Sequence, residues 1–138
     1  MSQQAHDIFS LSFTAPSAVA QYRGVDFAGA QIAAAGAKIA GIAKRPAAIG
    51  EPFEAAVIGT ATCEAGAIIA VGQALQMDAQ GRVIPADPLT VAAGATAVTS
   101  TAANGAILAG GDLPEFVVGH ALEAASGAGA FIEVLLRR

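Results

Sequence analysis

The side chains best suited to chemistry in this chain are those of Cys63 and His120. A thiol and an imidazole can act as nucleophile and general base, and Glu64 or Asp112 could orient the imidazole. The local sequence argues against this use. Cys63 lies in an alternating apolar run with no glycine-rich elbow or oxyanion motif around it, and a buried, unreactive cysteine is the commoner case. We therefore expect no catalytic residue and no enzyme activity.

Metal and cofactor sites are not predicted either. His6 and His120 are the two histidines, and an isolated pair is too few for a metal site, which normally has three or four clustered ligands. A carrier domain for a lipoyl or biotinyl group would need a lysine at a hairpin tip. The predicted tips are Ala79-Gln80 and Gly127-Ala128, whereas Lys38 and Lys44 lie elsewhere.

Composition limits the classes of partner. The net charge is −4 over 138 residues, so the stripe of basic residues that neutralises phosphates in nucleic-acid binders is missing. The apolar run at 27–42 contains Gln31 and Lys38 and is shorter than the roughly 20 apolar residues of a membrane span. Residues 1–20 lack the basic start and the continuous apolar core of a signal peptide. We expect neither nucleic acid nor a membrane as a partner.

The elements that would position any site are short strands. From Glu51 onward the apolar residues alternate: Phe53, Ala55 and Val57 fall on one face, and Glu54 and Ala56 on the other. Asp78-Ala79-Gln80-Gly81 has the turn chemistry of a β-hairpin, with glycine supplying the positive φ. A second hairpin is predicted at 116–138, turning at Ser126–Gly129. One of its strands carries Phe116, Val118, His120 and Leu122 on one face; the closing strand carries Ile132, Val134 and Leu136 on its apolar face.

These patterns predict a small, mainly β single domain, a β-barrel or sandwich with glycine-rich turns, over residues 21–138. A long, partly irregular connection is predicted at about 86–114. Residues 1–20 form a polar N-terminal arm with an apolar island made of Ile8, Phe9, Leu11 and Phe13. Such an island at a chain terminus docks either on its own domain or on a partner. Because alanine and glycine dominate the apolar residues, each buried side chain contributes little, and association would add stability.

The glycine and small apolar residues follow an order that resembles a known family. The stretches are RGVDFAG at 23–29, AGAKIAGIA at 35–43, IGEPF at 49–53, EAGA at 64–67, GQAL at 72–75, DAQGR at 78–82 and VGHALEAAS at 118–126. Together they resemble the capsid cement, or head decoration, proteins of tailed bacteriophages. The chain departs from that pattern at Gly129-Ala130-Phe131, where an acidic residue often precedes the last strand, and in the connection at 86–114.

The resemblance implies a structural virion protein with no enzyme activity and no cofactor. Such proteins are made in the cytoplasm of the bacterial host. They bind the outer surface of the expanded head as homotrimers at three-fold and quasi-three-fold positions, with the major capsid protein as partner. We expect Ile8, Phe9, Leu11 and Phe13 to contact the capsid or a neighbouring subunit. The alternative is an oligomeric β-scaffold or adhesin-like module unrelated to phage, which would assemble with itself but have no affinity for a capsid.

Overall fold

A computed structural model describes residues 4–87 and 115–136, and within these ranges it contains eight strands and no helix. The prediction of a mainly β single domain is confirmed. From residue 88, the predicted connection at 86–114 lies outside the described residues. The strands are β1 (Asp7–Thr14), β2 (Gly24–Val25), β3 (Gly41–Ala43), β4 (Pro52–Glu64), β5 (Ala74–Met77), β6 (Val83–Pro85), β7 (Gly119–Ala121) and β8 (Phe131–Leu136).

All eight strands belong to one sheet that curls into a nearly closed barrel. The order along the sheet is β2-β3-β4-β8-β7-β5-β6, and β1 pairs with β4 beside this path. The two ends of the path approach each other at Gly24, whose N–H donates to the carbonyl of Gly81, 2.8 Å away. A bridge between Ala65 and Val83 joins the end of β4 to β6. Curling the sheet in this way leaves few unpaired strand edges.

Strand β4 is the longest strand and organises the sheet. Phe53, Ala55 and Val57 are buried, as predicted from their alternation. The first half of β4 pairs with β1 and β3, and its second half, from Gly59 to Glu64, pairs with β8. Two register shifts occur between Asp7 and Ser10 of β1, opposite residues 56–59 of β4, and such an irregularity bends a strand and increases its twist. A single strand can therefore serve two parts of the barrel.

The predicted hairpin at Asp78–Gly81 is confirmed. It joins the antiparallel strands β5 and β6, and Gly81 has a φ of 75°. The Asp78 carboxylate accepts hydrogen bonds from the backbone N–H groups of Gln80 and Arg82 at 2.8 and 2.9 Å. It also pairs with the Arg82 guanidinium at 2.7 Å. One side chain thus fixes both the turn and its entry into β6.

The second hairpin is present, and its closing strand has the predicted apolar face. β8 pairs with both β4 and β7, and Ile132, Val134 and Leu136 are buried as predicted. Val118 is buried, but it precedes β7. Within β7 the buried residues are Gly119 and Ala121, whereas His120 is only half-buried. Small residues thus occupy the core positions of β7, and they carry no apolar signal in the sequence.

Buried side chains form two clusters. The larger fills the barrel and includes Ile42, Ile69, Leu75 and Met77, and the smaller surrounds Phe53 beneath β1 and β4. Many of the remaining core residues are alanines. Small residues let the strand backbones pack closely. At Gly41 even a methyl group would not fit, because a Cβ there would lie 2.5 Å from the Ala56 carbonyl oxygen.

Candidate interaction surface

An apolar surface on β1 contains three of the four predicted contact residues. Ile8, Phe9 and Leu11 are 83%, 48% and 39% exposed. Phe13 is only half-buried, and its ring stacks on that of buried Phe53 with the centroids 5.9 Å apart. The structure therefore places three of the predicted residues at the surface and the fourth against the smaller core cluster.

Pairing with β4 adds a residue that the sequence reasoning missed. Phe9 lies opposite Ile58 in the register, and Ile58 is also exposed. Directly opposed residues of two antiparallel strands have their side chains on the same face. The alternation along β4 could have identified Ile58, because it follows Val57 of the buried face and so falls on the opposite, exposed face. We call Ile8, Phe9, Leu11 and Ile58 the β1 surface.

The segment that leads into β1 is held by a buried carboxylate. Glu133 of β8 accepts a hydrogen bond from the N–H of Gln4 at 2.8 Å. The Thr60 hydroxyl bonds to the same carboxylate and itself accepts the N–H of His6 at 2.9 Å. The hydrogen bond from Thr60, followed by those from the backbone of Gln4 and Ala5, outweighs the effect of burial and lowers the pKa of Glu133. The start of β1 is thus fixed to the barrel by an ionised group.

A second polar anchor lies at the first residue of β1. The Asp7 carboxylate accepts a hydrogen bond from the Ser10 hydroxyl, and the Lys44 ammonium lies 3.1 and 3.0 Å from its two oxygens. The Ser10 hydrogen bond and then that of Lys44 lower the pKa of Asp7. The Lys44 contact ties the first residue of β1 to the residue that follows β3, while Ile8, Phe9 and Leu11 stay exposed.

Backbone groups of β1 are also available to a partner. In the described parts of the chain, β1 pairs with β4 and with no other strand. Residues 8–14 contain no charge and no proline, which are the usual means of protecting an exposed edge from other strands. The β1 surface therefore combines apolar side chains with one unpaired strand edge.

A cleft on another part of the barrel combines apolar and cationic groups. It encloses about 420 Å³ and is lined by Phe27, Lys38, Ile39, Val57, Phe116, Val117, Val118 and Leu136. In the structure β2 ends at Val25, and Asp26 caps a turn by accepting the N–H groups of Ala28 and Ala30. Phe27 is 63% exposed as a result.

A family model described as phage cement protein matches residues 3–136, which is nearly the whole chain. The chain belongs to the phage cement protein family. Membership identifies it as a structural, capsid-associated protein of phage heads, in agreement with the resemblance in the sequence. No curated protein matched the chain.

A solved structure supports the fold of this cement protein. It is the N base of head fiber gp8.5 from bacteriophage phi29, which matches with a TM-score of 0.61 and 19% sequence identity. The match covers 94% of the cement protein and 93% of the phi29 chain. At this identity the likeness concerns the fold alone.

The residues considered for catalysis are not brought together in the cement protein. Cys63 is buried and pairs with Ile132 of β8, whereas His120 of β7 pairs with Leu135. Three residues along β8 correspond to about 10 Å. Burial raises the pKa of the Cys63 thiol, which keeps it protonated. Glu64 bonds instead to Arg23, with Nε and Nη2 each 2.7 Å from its carboxylate. Asp112 lies outside the described residues.

The structure also bears on the metal site, the membrane span and the carrier lysine that were considered from the sequence. Across residues 4–87 and 115–136, no three His, Cys, Asp or Glu side chains cluster in a way that could hold a metal ion. Within the same ranges, no helix is long and apolar enough to cross a bilayer. Lys44 pairs with Asp7, and Lys38 lies in the cleft. Neither of the two lysines named in the carrier-domain alternative therefore lies at the tip of the Asp78–Gly81 hairpin.

Proposed function

We propose that this cement protein binds the outer surface of the expanded phage head as a homotrimer at three-fold and quasi-three-fold positions, where it reinforces the shell. Its partner is the major capsid protein, and it has no enzyme activity. The observation that carries the proposal is the family match over residues 3–136. A barrel with a β1 surface open to a partner fits this role.

The binding energy needed at each position is small. Complete burial of one large apolar side chain contributes about 1.5–3 kcal/mol, so the four side chains of the β1 surface, of which three lie on β1 and Ile58 lies on β4, supply a modest contact per subunit. A trimer presents three copies at once, and effective concentration turns modest contacts into tight attachment. A shell with many equivalent positions is therefore covered without a deep binding pocket.

We propose that Ile8, Phe9 and Leu11 make this contact with the capsid or with a neighbouring subunit, while Phe13 positions β1 on Phe53. The exposure of the first three residues supports this assignment, as does the edge of β1 that pairs with no strand of residues 4–87 and 115–136. An exposed apolar patch next to a free strand edge is a common mark of an interaction site.

Point variants test the contact better than removal of residues 1–15, because that deletion would also remove a strand of the sheet. We expect the Ile8→Ser/Leu11→Ser double variant to bind stripped, expanded heads at least about tenfold more weakly than the wild type. The control is Ile68→Ser/Val71→Ser, which changes two other exposed aliphatic residues. Wild-type affinity of the β1 variant, or equal loss in the control, would overturn the assignment of the contact to β1.

The alternative, a β-scaffold or adhesin-like module unrelated to phage, agrees poorly with the family match. It would predict self-assembly without any affinity for heads. The head-binding measurement separates the two functions, because purified heads accept a cement protein and offer no reason for an unrelated scaffold to bind.

A further inference from the structure

The cleft lined by Phe27, Lys38 and Phe116 has the features of a docking site. The Lys38 ammonium lies 5.7 Å from the centroid of the Phe27 ring and 5.8 Å from that of Phe116. Phe116 and its neighbour Val117 are both exposed. A cation held between two aromatic rings keeps its charge at the mouth of an apolar cleft, where it can meet an incoming carboxylate.

The cleft carries a cation in an acidic protein. Lys38 is the charged residue among its lining residues, and the chain has a net charge of −4. Acidic residues adjoin the lining at Glu115, next to Phe116, and at Asp26, next to Phe27, but the Asp26 carboxylate is engaged by the N–H groups of Ala28 and Ala30. A partner group that fits this cleft has an aliphatic side chain for the apolar lining and a carboxylate for Lys38.

The chain itself carries such a group in the turn before β4. Ile49 is 74% exposed, and Gly50 beside it has a φ of 80° with no heavy atom within 4 Å of the position of a Cβ. The exposed Glu51 carboxylate accepts the N–H of Ala48 at 2.9 Å, which holds the acid beside Ile49. The turn is thus an aliphatic tip with a fixed negative charge.

Other strongly exposed aliphatic residues lack this combination. The carboxylate next to Ile8 is that of Asp7, which already pairs with Lys44. Ile68 and Val71 lie in the stretch 65–73, which contains no acidic residue. Glu51 takes part in no ion pair with any cation in the described ranges. Charge and shape together therefore favour the Ile49–Glu51 turn as the group that fits the cleft.

We propose that the Ile49–Glu51 turn of one copy docks in the Phe27–Lys38–Phe116 cleft of the next copy, with Glu51 facing Lys38. The two patches differ, so the contact is head-to-tail, and it closes into a ring when the rotation between copies permits. A ring of three gives the trimer of the proposed function, and the inference rests on that proposal.

Photo-cross-linking tests the contact directly. Benzoylphenylalanine replaces Phe116 in the full chain, and light and isotopically heavy copies are mixed, both free and bound to heads. We expect cross-links that join position 116 of one copy to the peptide containing Ile49 of another. Cross-links to residues 88–114 of the same copy, to another part of a second copy, or to the major capsid protein would each overturn the proposal.

Charge exchange gives an independent test. K38E and E51K should each raise the dissociation constant of the trimer about tenfold, and K38E/E51K should recover most of the loss because the pair is restored with opposite polarity. E54K, which alters net charge as E51K does but lies beyond the turn, should leave assembly unchanged. Failure of the double variant to recover assembly contradicts the contact. Head binding is measured separately from trimer assembly. If K38E forms an unaltered trimer and binds heads like the wild type, this interface is rejected and the proposed function stands.

Discussion

Gly59 of β4 lies directly against the backbone of His6. A Cβ at this position would collide with the His6 carbonyl oxygen and would lie 2.9 Å from the nitrogen of Ile8. The φ of Gly59 is 111°, a region that side chains rarely adopt. The N-terminal segment can therefore pass over β4 and enter β1 because residue 59 has no side chain.

Replacing Gly59 with alanine should destabilise the fold by about 2 kcal/mol or more, from backbone strain and from displacement of β1. Gly50→Ala is the matched control, since Gly50 also has a positive φ but has open space around it; it should cost only about 1 kcal/mol. Urea unfolding of both variants checks this. Equal losses would show that the contact with His6 does not constrain the chain.

Removing the charge of Glu133 should loosen the segment before β1. Hydrogen bonds to a charged group contribute about 1.5–3 kcal/mol, so Glu133→Gln should speed amide hydrogen exchange at Gln4 and His6 at least about tenfold. NMR-detected exchange measures this, and Glu54→Gln, an exposed carboxylate on β4, serves as the control. Unchanged protection at both amides in Glu133→Gln would mean that Glu133 does not hold the segment.

Acid should weaken the β5–β6 hairpin through Asp78. Burial opposes ionisation of this carboxyl, but hydrogen bonds from the backbone of Arg82 and Gln80 and from the Arg82 side chain outweigh it and lower the pKa below 3.8. A lowered pKa in the folded state contributes stability that is complete above the unfolded pKa and is lost as pH falls through the folded pKa. The stability advantage of the wild type over Asp78→Asn should therefore shrink from about pH 5 downward. A pH-independent difference in urea unfolding would contradict this linkage.

Cys63 should not react in the folded protein. Its thiol is buried, its sulfur lies 3.8 Å from the Ala61 carbonyl oxygen, and burial raises its pKa. We expect no labelling by a disulfide reagent at pH 8 until urea unfolds the chain, and wild-type head binding by Cys63→Ala. Rapid labelling of the native protein would instead indicate an accessible thiolate and reopen the question of chemistry at this residue.

Local signals in the sequence predicted those parts of the fold that depend on neighbours in the chain. Asp78 and Gly81 form a turn through their own side chain and backbone, and Val134 and Leu136 alternate within a single strand. The position of β1 depends on Gly59 and Glu133, which are 53 and 127 residues after His6. Contacts over such separations leave no local pattern.

The candidate surfaces were likewise predictable only where their residues are close together in the sequence. Ile8, Phe9 and Leu11 were predicted because apolar residues near a terminus stand out among polar neighbours. Lys38 and Phe116 form one site only after the barrel brings distant segments together, and each alone has the pattern of an ordinary surface or strand residue. The sequence did not indicate which face of β7 is buried, because Gly119 and Ala121 carry too little apolar surface to mark it.

Co-sedimentation with expanded heads stripped of their decoration tests the central claim most directly, with bound copies counted per major capsid subunit. We expect saturable binding at about one copy per capsid subunit, which corresponds to a trimer at every local three-fold position. No binding to heads that accept other decoration proteins would contradict it.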